Sequence, residues 1–143
     1  MPFPTPHPGL VIHYAYLWHA EHLQGQEEGV KNRPCVIMLA AEVVDGETVV
    51  TVLPVTHTPP LDLSAAVEIP LATKQRLGLD SQRSWVVCSE INRFVWPGPD
   101  IRPIPGRPGE IAYGVLPPGL FRQIKARVLT LADARRLRAI VRS

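Results

Sequence analysis

Two side chains in this sequence are of the right kind to hold a phosphodiester. Arg33 sits in Gly29-Val-Lys31-Asn-Arg33-Pro34, and Thr56 in Leu53-Pro54-Val55-Thr56-His57-Thr58. A planar, permanently charged guanidinium can hold two phosphate oxygens and stabilise the extra negative charge as phosphorus becomes five-coordinate. A nearby hydroxyl can fix the orientation of the same phosphate by a hydrogen bond. In RNA the neighbouring 2′-hydroxyl is already an intramolecular nucleophile, so positioning and charge stabilisation suffice and no metal is demanded. Arginine is a poor proton acceptor, and His57 is the local candidate for that role. Strand alternation points it away from Thr56 unless the strand has ended there.

Other groupings are weaker. His19-Ala-Glu-His22 puts two imidazoles near one another, but no third ligand follows at a sensible spacing, and no metal site is expected. Ser89-Glu90 and Thr130-x-x-Asp133 lack a Ser-His-Asp arrangement. Trp18 and Trp85 read as core or rim aromatics, while Trp96, close to Arg93, is a candidate for stacking on a base.

The pair works only if the chain brings it together. Pro34 to Val44 is a near-continuous apolar run, Asp45-Gly46 is a two-residue hairpin signal, and Thr48 to Val55 is the returning strand. Arg33 lies 12 residues before Asp45 and Thr56 lies 10 after Gly46, so an antiparallel hairpin carries both to one end of the sheet. Around this hairpin the sequence predicts strands over Leu10 to Leu17, Ala66 to Ile69 and Ser84 to Val95. His19 to Asn32 reads as a mobile polar loop, Leu71 to Leu79 as a helical turn closed at Gly78, and Pro97 to Gly109 as a Pro/Gly-rich loop. Leu120, Phe121, Ile124 and Val128 recur at helical spacing behind Pro117 and Pro118. Thr130 to Asp133 resembles a capping box opening one more short helix, with Leu137, Ile140 and Val141 on it. The expectation is a mostly β domain with a C-terminal helix, a small bent sheet or partly open barrel rather than βαβ units.

With 143 residues, of which 45% are hydrophobic, the chain fits a single domain over 1–143. Residues 1–8 form a Pro-rich extended lead-in, and 130–143 a basic helical extension. The apolar runs are too short for a membrane span, and the N-terminal order is not that of a signal peptide. Cys35 and Cys88 lie in apolar runs, against a disulfide framework or zinc cluster and in keeping with a cytoplasmic protein. The net charge is only +2, but it is unevenly spread. Residues 1–50 carry Lys31 and Arg33 against six acids, whereas 122–143 carry Arg122, Lys125, Arg127, Arg135, Arg136, Arg138 and Arg142 against Asp133 alone. A polyanion would be attracted to the C-terminal end, and a solvated helix face explains the same charges.

Four ordered motifs carry a resemblance. They are Gly-x-Lys-x-Arg-Pro at Gly29 to Pro34, Pro-Val-Thr at Pro54 to Thr56, Ser-Glu-Ile-Asn-Arg-Phe-Val-Trp at Ser89 to Trp96, and Gly-Val-Leu-Pro-Pro-x-Leu-x-x-Ile-Lys-Ala-Arg from Gly114 to Arg127. Over roughly residues 9 to 131 the chain resembles the MazF/PemK toxins of type II toxin-antitoxin systems. The resemblance implies an SH3-like barrel with a C-terminal helix, assembling as a homodimer, that cleaves single-stranded mRNA at short sequences. It further implies metal-free and cofactor-free cleavage to 2′,3′-cyclic phosphate and 5′-hydroxyl ends, growth inhibition, and silencing by a small antitoxin protein. The family's arginine and threonine map onto Arg33 and Thr56, and Lys31, Asn92 and Arg93 match motif positions that touch RNA or lie on the surface. His13 stands where relatives commonly have tryptophan, Glu90 where many have glutamine, and the tail beyond Thr130 is extra. The alternative is a non-catalytic toxin on the same barrel, a gyrase poison of the CcdB type, or a degenerate module that only binds an antitoxin.

Overall fold

The computed structural model describes residues 3–25, 31–43 and 45–142. Its sheet is built on the expected hairpin. The buried run of β2 (Arg33–Glu42) returns as β3 (Thr48–Thr56), antiparallel, with Cys35 opposite Pro54, Val36 opposite Leu53 and Ile37 opposite Val52. A bulge between Ile37 and Leu39 shifts the register by one residue before the turn at Asp45 and Gly46. Gly46 has φ +84, a backbone state that a side chain disfavours.

β1 (Leu10–Tyr14) pairs antiparallel with β2 on one side and with β7 (Ala112–Val115) on the other. The far edge of β3 is shared. Its first half pairs with β6 (Glu90–Val95), and its last two residues pair with β5 (Trp85–Val87), which in turn pairs with β4 (Ala66–Glu68). The expected single strand from Ser84 to Val95 is therefore two, broken at Cys88 and Ser89, because two different parts of β3 take the two halves. The expected strand from Leu10 ends at Tyr14, and β7 was not expected.

Period-two alternation sorts the hairpin's side chains onto two buried faces. Val11, Val36 and Leu53 join a cluster with Leu120, Ile124, Val128 and Leu131 of the long helix. That helix is the expected amphipathic element, and Pro118 stands in its first turn, where its missing N–H costs nothing. Ile12, Cys35, Ile37 and Val52 join a second cluster closed by Tyr14, Tyr16, Phe94 and Ile101.

Three helical expectations need correction or refinement. Part of the supposed loop from His19 is α1 (His19–Leu23), with Glu21 Oε1 accepting from the Trp18 N–H at 3.0 Å. α2 (Leu71–Leu77) ends as expected at Gly78, which is left-handed at φ +73. The long helix, α3 (Pro118–Asp133), runs straight through the supposed capping box, and the Thr130 hydroxyl donates back to the Ala126 carbonyl at 3.0 Å. Among the described residues no second helix follows. The chain turns at Arg135, φ +58, and forms β8 (Arg138–Val141), parallel to β6. The helical reading of 130–143 mistook the spacing of Leu137, Ile140 and Val141 for a helix face. Ile140 in the strand and Arg142 just beyond it are the residues that turn inward.

The described residues thus form a mostly antiparallel eight-stranded sheet with one long helix near the C-terminus. Among them no helix is long and apolar enough to cross a membrane.

Candidate functional site: a cavity at the open end of the hairpin

Cys35 and Pro54 form the last pair of the β2–β3 ladder, and just beyond it β2 begins at Arg33 and β3 ends at Thr56, so both residues reach the same end of the hairpin. There they line one cavity of about 510 Å³, together with Lys31 and His57. The Arg33 guanidinium donates from Nη1 to the Val55 carbonyl at 3.3 Å, one residue from Thr56. Its Nε is buried without a hydrogen-bond partner among the described residues, so the fork is only partly used by the protein.

Arg33 is held from beneath by an aromatic ring, and the ring's own position has a cause. Glu90 Oε1 accepts from the Tyr16 hydroxyl at 3.1 Å and from the His19 N–H at 3.0 Å, which fixes the start of α1. Trp18 is thereby set with its ring 4.9 Å from the guanidinium carbon, a cation–π contact worth about 0.5 to 2 kcal/mol. Burial lowers the Arg33 pKa from its ordinary value, and the charges of Glu21 and Glu90 act in the opposite sense. An arginine has so high an ordinary pKa that it stays cationic. Burial also raises the Glu90 carboxyl, against the two hydrogen bonds it accepts.

Thr56 is half-buried and ends β3. Its Oγ1 accepts from the Thr58 N–H at 3.1 Å, which fixes the oxygen and leaves the hydroxyl proton available to a ligand. Because the strand stops at Thr56, alternation no longer governs the next residue, and His57 enters the same cavity.

A second set of residues there was not singled out from the sequence. Gly78 reverses the chain after α2, and the Leu79 N–H bonds the Lys74 carbonyl at 2.9 Å, which brings Asp80 back over the helix. The Lys74 ammonium, only 2% exposed, donates to Asp80 Oδ1 at 2.6 Å, to Ser84 Oγ at 2.6 Å and to the Gln82 carbonyl. Asp80 Oδ2 lies 2.7 Å from His57 Nε2. Burial alone would raise the Asp80 carboxyl, but the hydrogen bond and charge of Lys74, with His57 beside it, bring it below its ordinary value. His13 and Tyr113 line the same cavity, and the Tyr113 hydroxyl lies 2.8 Å from His13 Nδ1. Burial lowers the His13 pKa and pushes the Tyr113 phenol up to about 12. His13 and Tyr113 meet only through the tertiary fold, whereas Lys74 and Asp80 meet through the local reversal at Gly78.

The remaining expected RNA-contacting residues lie elsewhere. Asn92 is a correction, because its side chain is fully buried and its amide is spent on the protein. Its Oδ1 accepts from the Leu17 N–H at 2.9 Å, and its Nδ2 donates to the Leu17 carbonyl at 2.8 Å. Arg93 is exposed opposite Thr51, five residues along β3 from Thr56, or roughly 16 Å by strand rise. Trp96 packs on Phe94 and Phe3. Neither Arg93 nor Trp96 lines the cavity. Gly29 and Val30 of the first motif lie outside the described residues.

The basic C-terminal run is partly internal. Arg142 is buried, bonded to the Ala15 carbonyl at 2.8 Å, to Asn92 Oδ1 at 3.1 Å and to Asp100 Oδ2 at 2.9 Å. Arg127 donates to the carbonyls of Leu63 and Ala66, and Arg136 pairs with Asp62. Arg122, Lys125, Arg135 and Arg138 remain exposed. Among the described residues no three His, Cys, Asp or Glu side chains gather as a metal-holding group, and His19 and His22 stand on α1 without a third. Compared with protein-family models, curated proteins and solved structures, the chain matches none.

Proposed function

We propose that the chain is a metal-independent endoribonuclease that cleaves single-stranded RNA, with Arg33 and Thr56 holding the scissile phosphate. The observation that carries this reading is the convergence of those two residues, 23 positions apart, on one cavity that also holds a histidine. The partly used guanidinium and the fixed threonine oxygen suit the two needs of 2′-hydroxyl attack, charge stabilisation and orientation. Lys31 at the rim adds a cation for a neighbouring phosphate, and Trp18, already stacked on Arg33, offers an apolar edge. The products are a 2′,3′-cyclic phosphate and a 5′-hydroxyl.

The wider reading follows from the motif resemblance. The chain is a MazF/PemK-like toxin on an SH3-like barrel, cytoplasmic, homodimeric and neutralised by a cognate antitoxin protein. Arg93 and Trp96 belong to a different surface from the cavity, so an RNA role for them requires a strand long enough to span both.

Purified protein mixed with a long unstructured RNA and excess EDTA tests the reading. Discrete fragments with 5′-hydroxyl ends are expected. Intact RNA, or cleavage that persists in Arg33→Ala and Thr56→Ala, would overturn it.

A further inference from the structure

The phosphate holders leave one task unassigned, removal of the proton from the attacking 2′-hydroxyl. We propose that His57 performs it as general base, oriented by Asp80, which the buried Lys74 holds in place; this rests on the RNA-cleavage reading above.

The tautomer follows from the partners. Asp80, held below its ordinary pKa by the Lys74 ammonium, is an ionised carboxylate and accepts only. His57 Nε2, 2.7 Å away, must therefore carry the hydrogen, which leaves the Nδ1 lone pair free on the ring's other side. An isolated histidine–aspartate pair on a surface is weakly oriented, because both side chains sample rotamers. This carboxylate is different, since one oxygen is taken by an ammonium only 2% exposed that is itself tied to Ser84 Oγ and the Gln82 carbonyl. Gly78 supplies the reversal that brings Asp80 to Lys74. Rigid support behind a side chain that remains 47% exposed is what a residue needs if it must both hold its place and meet a ligand.

In the step itself, His57 Nδ1 takes the proton from the 2′-hydroxyl, the O2′–P bond forms, and the P–O5′ bond breaks. The 5′-oxygen takes a proton from water, and the imidazolium returns its proton to the hydroxide so formed. Asp80 stabilises the imidazolium without accepting the proton. Arg33 and Thr56 carry the phosphorane charge and orientation. Asp80 and Lys74 touch no reacting atom and are positioning residues.

Cleavage of a short single-stranded RNA by full-length protein tests the assignment. His57→Ala, at an exposed position, leaves the Lys74–Asp80–Ser84 bonds intact and is expected to lower kcat by about 10²-fold or more at unchanged KM. Added imidazole should restore part of that loss, which a structural role would not allow. Asp80→Asn is expected to lower kcat by roughly 10- to 100-fold at unchanged KM, a split that a merely structural loss would not give. A His57→Ala enzyme with full activity, beside an inactive Arg33→Ala, would sink this inference and leave the RNA-cleavage reading standing. Wild-type protein that cuts no RNA would sink both.

Discussion

Arg33 donates to the carbonyl of Val55 at 3.3 Å, and this ties the cation to the backbone one residue before the hydroxyl it must work with. The bond runs across the open end of the β2–β3 hairpin, so the spacing of Arg33 and Thr56 is set by strand register rather than by a loop. A site built on paired strands holds its geometry more tightly than one on a loop.

Conservative substitutions should separate charge from geometry. Arg33→Lys keeps a cation but loses the planar fork and the stacking on Trp18, and RNA cleavage should fall by about 10²- to 10³-fold. Thr56→Ser keeps the hydroxyl and should retain most of the rate, while Thr56→Val, equal in shape, should lose about 10²-fold. Initial rates on one RNA substrate decide this, and a fully active Arg33→Lys would contradict it.

The core role of Asn92 gives a stability prediction. Asn92→Ala strands the N–H and carbonyl of Leu17, and at about 1 to 3 kcal/mol for each orphaned group the loss should be roughly 2 to 6 kcal/mol. Urea unfolding should show a lowered midpoint at unchanged slope. A midpoint equal to that of the wild type would return Asn92 to the surface.

Arg142 makes a parallel case at the chain's end. Arg142→Met leaves Asp100 largely buried without its 2.9 Å partner, and among the described residues its remaining ion-pair partner is Arg102, 3.8 Å away. The cost should be about 3 kcal/mol or more. Adding Asp100→Asn to that variant should recover part of it, and independent, additive losses would argue against the pair.

The hairpin and its register were legible because the Cys35 to Ala41 run, the Asp45-Gly46 turn and the returning β-branched run agree with one another. The α2 terminus was legible from Gly78. α1 was not, because its start is fixed by Glu90, 71 residues away from His19, and a polar composition alone reads as loop. β8 was missed because a four-residue strand that gains its hydrogen bonds from a distant neighbour has no local signature stronger than its helix-like spacing. Asn92 was misplaced for the same reason. An amide that satisfies a remote backbone looks, in sequence, like one that faces solvent. Lys74 and Asp80 carry no site signal in the sequence, because a lysine on a short helix ordinarily reads as exposed.

The raised carboxyl of Glu90 predicts a pH dependence. Burial lifts its folded-state pKa above the unfolded value, so its contribution to stability is complete in acid and is lost as pH rises through the raised value. Glu90→Gln keeps an oxygen for Tyr16 and His19 and has no charge to bury. The variant should melt higher than wild type at neutral pH, and the gap should close toward about pH 4, near the ordinary glutamate range. A gap independent of pH would contradict the burial of this carboxyl.

Both thiols should be inert in the folded protein. Cys35 is fully buried and its pKa is driven up by burial, while burial pushes Cys88 up to about 12. Labelling with a thiol reagent at pH 8 should be slow in buffer and fast in urea. Comparable rates in the two would mean that the core around β2 and β5 opens readily.

The most direct test is a double-mutant cycle on RNA cleavage with Arg33→Ala, Thr56→Val and the two combined. If both groups act on one phosphate, each single change should remove most of the rate, and the double variant should fall much less than the product of the two losses. Losses that multiply as though independent, or single variants that cut RNA as fast as the wild type, would show that the guanidinium and the hydroxyl do not share a substrate.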